Sequence, residues 1–225
     1  MAETTSPPPS GASGLTRDAE EAGFYHESAL NAAWTGSRLA LGALSFLFGA
    51  FVFAYFYLRS VNSGGRWQGS GFHAPPTIMG TVIMLLVLTS AGVHYLGLQR
   101  IKAGSKRPWQ VSGLIALVLG VAAVTLQIIE LLFLPFWPGS SGFSSVFTGF
   151  YPVFTVVLLA GMIWLETLLA RARFIPAISF VEQPPTYKEA FAVQRFQASL
   201  SGFATVWNFL AIVAVVSWVL FYVIP

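Results

Sequence analysis

The chain contains no cysteine, which excludes disulfides, thiolate metal sites and cysteine nucleophiles. Charge is scarce as well: 9% of the 225 residues are Asp, Glu, Lys or Arg, against about 25% in a soluble domain. Only three histidines occur. No apolar stretch keeps the strict two-residue alternation of a membrane barrel strand, so helices are expected. The opening MAETTSPPPSGASG lacks the basic and apolar segments of a secretory signal, so none is expected there. What is abundant is apolar surface. The chain is 55% hydrophobic and 15% aromatic, with a mean hydropathy of +0.69.

A helix needs about 20 largely apolar residues to cross a bilayer. Five stretches qualify, roughly Leu39–Leu58, Thr77–Leu98, Val111–Leu134, Val146–Leu169 and Leu200–Ile224. The expected fold is therefore all-α, a bundle of five transmembrane helices over residues 31–225, preceded by a disordered or interfacial tail over 1–30. Within that tail TRDAEEAGFYHESA reads as a short interfacial helix. In the loop before the fifth span, PPTYKEAF reads as a helix start, with Thr186 and Glu189 spaced as a capping box. Pro152 falls in the first turns of span four, where it removes a helix hydrogen bond and can kink the helix.

Lys and Arg set the expected orientation. Ten of the twelve lie in the N-terminal tail and in the loops after spans two and four, among them Arg38, Arg100, Lys106, Arg171 and Arg195. Only Arg59 and Arg66 lie on the other side. The N-terminus is expected inside and the C-terminus outside. The net charge of +3 follows mostly from this bias and calls for no nucleic acid.

Few residues could carry chemistry. His26 lies in the tail, His73 in a loop, and only His94 within a span. A haem, copper or zinc site needs several such ligands at helical spacing, so His94 is read as a hydrogen-bonded or interfacial histidine. Thr89, Ser90, Ser144 and Ser145 have no base nearby in sequence, and membrane hydroxyls usually bond backbone or a neighbouring helix. No glycine-rich phosphate loop is present. The stretch LGVAAVTLQIIELL is different. Gln127 and Glu130 lie three residues apart, on one helical face. An ionised carboxylate costs several kcal/mol to bury without partners, and an ionisable group inside a span is a functional candidate. The competing reading is that Glu130, about 7 Å from Pro135 by helical rise, snorkels to the headgroups. Glu166 reads as an interfacial carboxylate near Arg171 and Arg173.

The spacing Leu119-Gly120, Gln127, Glu130 resembles the LG…Q..E signature of subunit III of haem-copper terminal oxidases, the cytochrome c oxidase subunit III family. The resemblance runs from about Arg38 to Ile224. FAYFYLRS at the end of span one is similar to the family's AAY..LR, and SGGRWQGSGFHAPP to its glycine-rich loop. The pair Thr89-Ser90, the turn RIKAG and the stretch SSVF also fit. In the last span Trp207, Phe209, Trp218, Phe221 and Tyr222 match YWHFVD.VW..LF..IY. Departures are clear too. Leu44 stands where the family has a membrane Glu, and Asn208 and Ala211 where it has His and Asp; on one of two registers Tyr151 and Phe154 stand where it has two His, and neither register supplies a His.

The resemblance implies a five-span bacterial form of an accessory subunit that has no catalytic centre and no redox metal. It implies packing on catalytic subunit I and other oxidase subunits, bound phospholipid, and support for proton uptake and stability. Haem and copper would sit in the partner subunits, and the location would be a bacterial or archaeal plasma membrane. Gln127, Glu130, His94, Arg38, Trp207 and Asn208 are the candidate structural, lipid or subunit contacts. Partners for Glu130 would be His94, Asn208, Gln127 or a group on another subunit. Gly42, Gly49, Ala50, Gly92, Gly120 and Gly161 would allow close helix approach. Alternatives are a small transporter or channel using Glu130, a hydrolytic membrane enzyme, or an accessory subunit of a quinol oxidase or nitric oxide reductase.

Overall fold

A computed structural model of the chain describes residues 10–62, 64–69, 73–175 and 187–225. Among these, no strand occurs, and five α-helices follow one another: α1 Ser10–Val61, α2 Thr77–Lys102, α3 Lys106–Leu132, α4 Gly142–Phe174 and α5 Tyr187–Trp218. A π-helical turn, Val219–Val223, continues α5. Each helix holds a segment long and apolar enough to cross a membrane. Five such segments among the described residues make the chain a multi-pass membrane protein.

The helices overrun the expected spans because polar residues extend them past the apolar run. The segment expected as a separate interfacial helix is part of α1, which passes through residue 30 into the first span without a break. α5 likewise starts at Tyr187 and runs straight into its span. The expected cap at Thr186 lies outside the described residues. α4 starts with a capping box instead: Ser144 N–H donates to Ser141 Oγ at 3.1 Å, and Ser141 N–H to Ser144 Oγ at 2.8 Å. Ser144 thus satisfies orphan donors of the first turn rather than doing chemistry. α4 passes through Pro152, leaving the Thr148 carbonyl without its usual N–H donor.

α5 is the centre of the bundle and touches α1, α2 and α4, while α3 lies against α2 and α4. Over half of its most apolar window is buried (56%), against 11% for α1. α1 is peripheral and leaves Phe46, Phe53 and Leu39 exposed.

Lipid gives no hydrophobic force between helices, so close packing must hold the bundle. Interlocked aromatics supply much of it: Phe147 meets Tyr151 at 4.4 Å and Phe221 at 5.3 Å between centroids, and Phe48 meets Phe150 at 5.5 Å. Gly161 leaves room for Trp207, and Gly120 for Met162. Gly42, Gly49 and Gly92 have open space where a side chain would stand, and Ala50 is exposed. Only two of the six small residues expected at helix contacts therefore serve contacts within this chain.

Candidate functional site

Two ends of the bundle can be told apart. Arg100, Lys102, Lys106, Arg107, Arg171 and Arg173 gather at the end joining α2 to α3 and terminating α4. The opposite end carries the C-terminus of α1, the start of α2, the end of α3, the start of α4 and the π turn. The polar interior lies towards that opposite end.

Glu130 is in the last turn of α3 and only 2% exposed, and Gln127 one turn earlier is fully buried. Glu130 therefore does not snorkel: its face of α3 points into the bundle. Gln127 Nε2 donates to Glu130 Oε2 at 2.9 Å. Tyr222 OH donates to Glu130 Oε1 at 2.6 Å. Both carboxyl oxygens are thus engaged within this chain. Tyr151 on α4 lies beside Tyr222, ring centroids 6.3 Å apart, and lines one small cavity with Gln127, Ser217 and Tyr222, so α3, α4 and α5 meet at one polar cluster.

The position of Tyr222 has two local causes. The π turn holds one more residue than an α-turn and re-aims the side chains along it; Phe221 is buried there and Tyr222 reaches Glu130. The second cause is Gly80 on α2: a Cβ there would stand within 2.7 Å of three Tyr222 ring carbons. The ring occupies space that only glycine leaves open.

The last carbonyls of the chain would be orphans of a helix end. They are capped from α1 and its loop. Tyr55 OH donates to the Ile224 carbonyl, Arg59 donates to the same oxygen at 2.8 Å, and Gln68 Nε2 donates to the Pro225 carbonyl at 3.2 Å. The loop that carries Gln68 turns through Gly64 and Gly65 at φ of 83° and 86°, a conformation that favours glycine. Trp67 from this loop is buried against Tyr55 at 5.1 Å.

The other candidates lie elsewhere. His94 is buried with its ring edge-on to Phe203 at 4.8 Å. It is fourteen residues along α2 from Gly80, about 21 Å by helical rise, so it does not partner Glu130. Asn208 is fourteen residues from Tyr222, about the same distance by rise, and is half-buried on α5. Arg38 lies over the Trp34 ring at 3.2 Å on the exposed side of α1, a cation–π pair. Trp207 is buried, and its Nε1 donates to Ser90 Oγ at 3.3 Å, while Ser90 donates to the Ala116 carbonyl at 2.7 Å. This second polar node ties α5 to α2 and α3. Glu166 is exposed on α4.

An apolar groove of about 190 Å³ runs between α1, α4 and α5, lined by Phe48, Phe51, Val52, Phe209, Ile212 and Val216 among others. Its chemistry suits an acyl chain. Among the described residues no three of His, Cys, Asp and Glu gather closely enough to hold a metal ion.

Tyr222 is not among the partners expected for Glu130, yet it bonds the carboxyl. The available signal was a hydroxyl-bearing aromatic deep in an apolar span, whose O–H requires a partner when buried. No protein-family model matches the chain, and no curated protein matches it.

Proposed function

We propose that this chain is an accessory, non-catalytic subunit of a respiratory haem-copper oxidase, in the role of subunit III. It would pack on the catalytic subunit, hold phospholipid, and support proton uptake and the stability of a complex that reduces oxygen to water. The observation that carries this reading is the convergence of resembling segments. Span one contributes Tyr55 and Arg59, span three Gln127 and Glu130, and the last span Phe221 and Tyr222. They meet at one end of the bundle: Tyr55 packs on Phe221 at 5.6 Å, Arg59 caps Ile224, and Tyr222 bonds Glu130. Motifs remote in sequence and contiguous in space support a shared structural origin for the resemblance.

On this reading Gln127 and Glu130 are polar glue rather than a catalytic pair. With both carboxyl oxygens occupied by Gln127 and Tyr222, Glu130 makes a poor ion-transport site, which favours the subunit reading over a transporter. The groove between α1, α4 and α5 is the place for a lipid tail. The basic end faces inside, with the N-terminus inside and the C-terminus outside, in a bacterial or archaeal plasma membrane.

The test is purification of the tagged chain from native membranes in mild detergent, followed by a reduced-minus-oxidised spectrum. Stoichiometric haem with a large catalytic subunit is the expected result. Its haem type and neighbouring subunits also separate a cytochrome c oxidase from a quinol oxidase or nitric oxide reductase. A colourless single-component preparation overturns the proposal.

A further inference from the structure

Buried polar atoms in native proteins nearly always have partners, and an orphan in a membrane interior has no bulk water to turn to. The carbonyl oxygen of Gln127 is such an orphan: it is buried and no protein group bonds it. Rotating the amide does not remove the problem. The flipped amide would set its oxygen against Glu130 Oε2, which suits only a protonated carboxyl, and would leave the NH₂ group unpartnered instead. In either orientation one end of the Gln127 amide is left over.

Gln127 lines a small cavity between α2, α3, α4 and α5, together with Gly80, Tyr151, Ser217, Trp218 and Tyr222. The space open to the centre of a water-sized sphere is about 10 Å³. That is about what a single water requires, and it is far too little for an acyl chain. A buried water typically makes about three hydrogen bonds. The cavity lining includes Gln127, whose amide has an unpartnered atom, and the hydroxyl-bearing residues Tyr151, Ser217 and Tyr222. Size, polarity and an unpartnered acceptor coincide at one place.

We infer that this cavity is a binding site for one ordered water, with the Gln127 amide and the Tyr151 and Ser217 hydroxyls as its ligands. The water completes the cluster of Glu130, Gln127, Tyr222 and Tyr151 and gives an intramembrane carboxyl group its nearest solvent molecule. It also ties α3 to α4, alongside the direct Tyr222–Glu130 bond between α3 and the π turn after α5. The assignment does not depend on the oxidase reading, because it rests on the amide and the cavity alone.

The test is a crystal or cryo-EM map of the full-length protein, in its complex or in a nanodisc, at a resolution where ordered water is visible. The expected result is an isolated peak within hydrogen-bond distance of the Gln127 amide and of Tyr151 or Ser217. An empty cavity in a map that shows other ordered waters overturns the site, as does density continuous with a lipid or detergent tail. Gln127→Met keeps the length of the side chain and removes the amide. The peak should be lost in that variant, and its persistence would overturn Gln127 as a ligand. If the variant does not fold, the native map decides by itself.

Discussion

Tyr222 and Glu130 stand 92 residues apart in the chain and share a hydrogen bond of 2.6 Å. The bond closes the end of α3 onto the π turn after α5. In an apolar medium the alternative to this contact is an unpaired carboxyl oxygen and an unpaired phenol, so substitutions should rank by how many orphans they leave. Tyr222→Phe removes one donor and should cost about 1 kcal/mol, within the range of membrane hydrogen bonds. Glu130→Leu strips partners from both Gln127 and Tyr222 and should cost about 2–3 kcal/mol. Glu130→Gln keeps an acceptor for Tyr222 and should be the mildest. Reversible unfolding in mixed detergent micelles measures all three. A Glu130→Leu protein as stable as the native chain would show that the cluster is not glue.

Gly80 and Tyr222 make a prediction with a change of sign. A methyl group on Gly80 would meet the Tyr222 ring, so Gly80→Ala should push the ring off Glu130 and destabilise by about 1–3 kcal/mol, the usual cost of overpacking. In a Tyr222→Ala background the obstacle is gone. The same substitution should then stabilise by up to about 1 kcal/mol, because alanine is the better helix former. Measuring the double-mutant cycle by the same unfolding assay tests the contact. A Gly80→Ala effect of one size in both backgrounds would place Tyr222 elsewhere.

The number of spans was legible because hydropathy over about 20 residues reports the solvent a helix must cross. Helix ends were not, because a helix continues through polar residues once nucleated; α1 begins at Ser10, far ahead of the apolar run starting at Leu39. Gln127 was legible as a Glu130 partner, since three residues along a helix is a contact by geometry alone. Tyr222 was not. Its reach depends on a π turn and on space above Gly80, and neither has a local signature. His94 and Asn208 failed as partners for a reason that rise per residue could have supplied once the antiparallel order of the helices was fixed. Gly42, Gly49 and Gly92 looked like packing residues, yet a glycine's composition does not say which way its helix face points.

Trp207 should be the costliest single truncation on α5. It is 1% exposed, stacks on Phe203 at 5.6 Å, and lies so close over Gly161 that a Cβ there would be 2.6 Å from its ring. Trp207→Ala should cost about 3–5 kcal/mol through the cavity it leaves. Trp207→Phe retains most of the ring and should lose about 1 kcal/mol with the bond to Ser90. Phe46→Ala, on an exposed position of α1, serves as the control and should leave the isolated chain nearly unchanged. A Trp207→Ala protein that unfolds like the Phe46→Ala control would contradict the packing of α5 at the centre of the bundle.

The proposed orientation is testable with unusual cleanliness, because the absence of cysteine means that any thiol label reports an introduced site. Ala74 and Ser105 are both exposed, the first between α1 and α2 and the second between α2 and α3, so a single helix separates them. Neither has a positive φ, and cysteine should fit both without strain. If the basic end faces inside, a membrane-impermeant maleimide should label Ala74→Cys in intact cells, or in spheroplasts where an outer envelope blocks access. Ser105→Cys should label only after permeabilisation. The reverse pattern would invert the protein in the membrane and break the charge rule that motivates the orientation. Labelling of both sites from one side would be more damaging, since it would mean that α2 does not cross, and a helix of 26 residues with this composition would have to lie elsewhere.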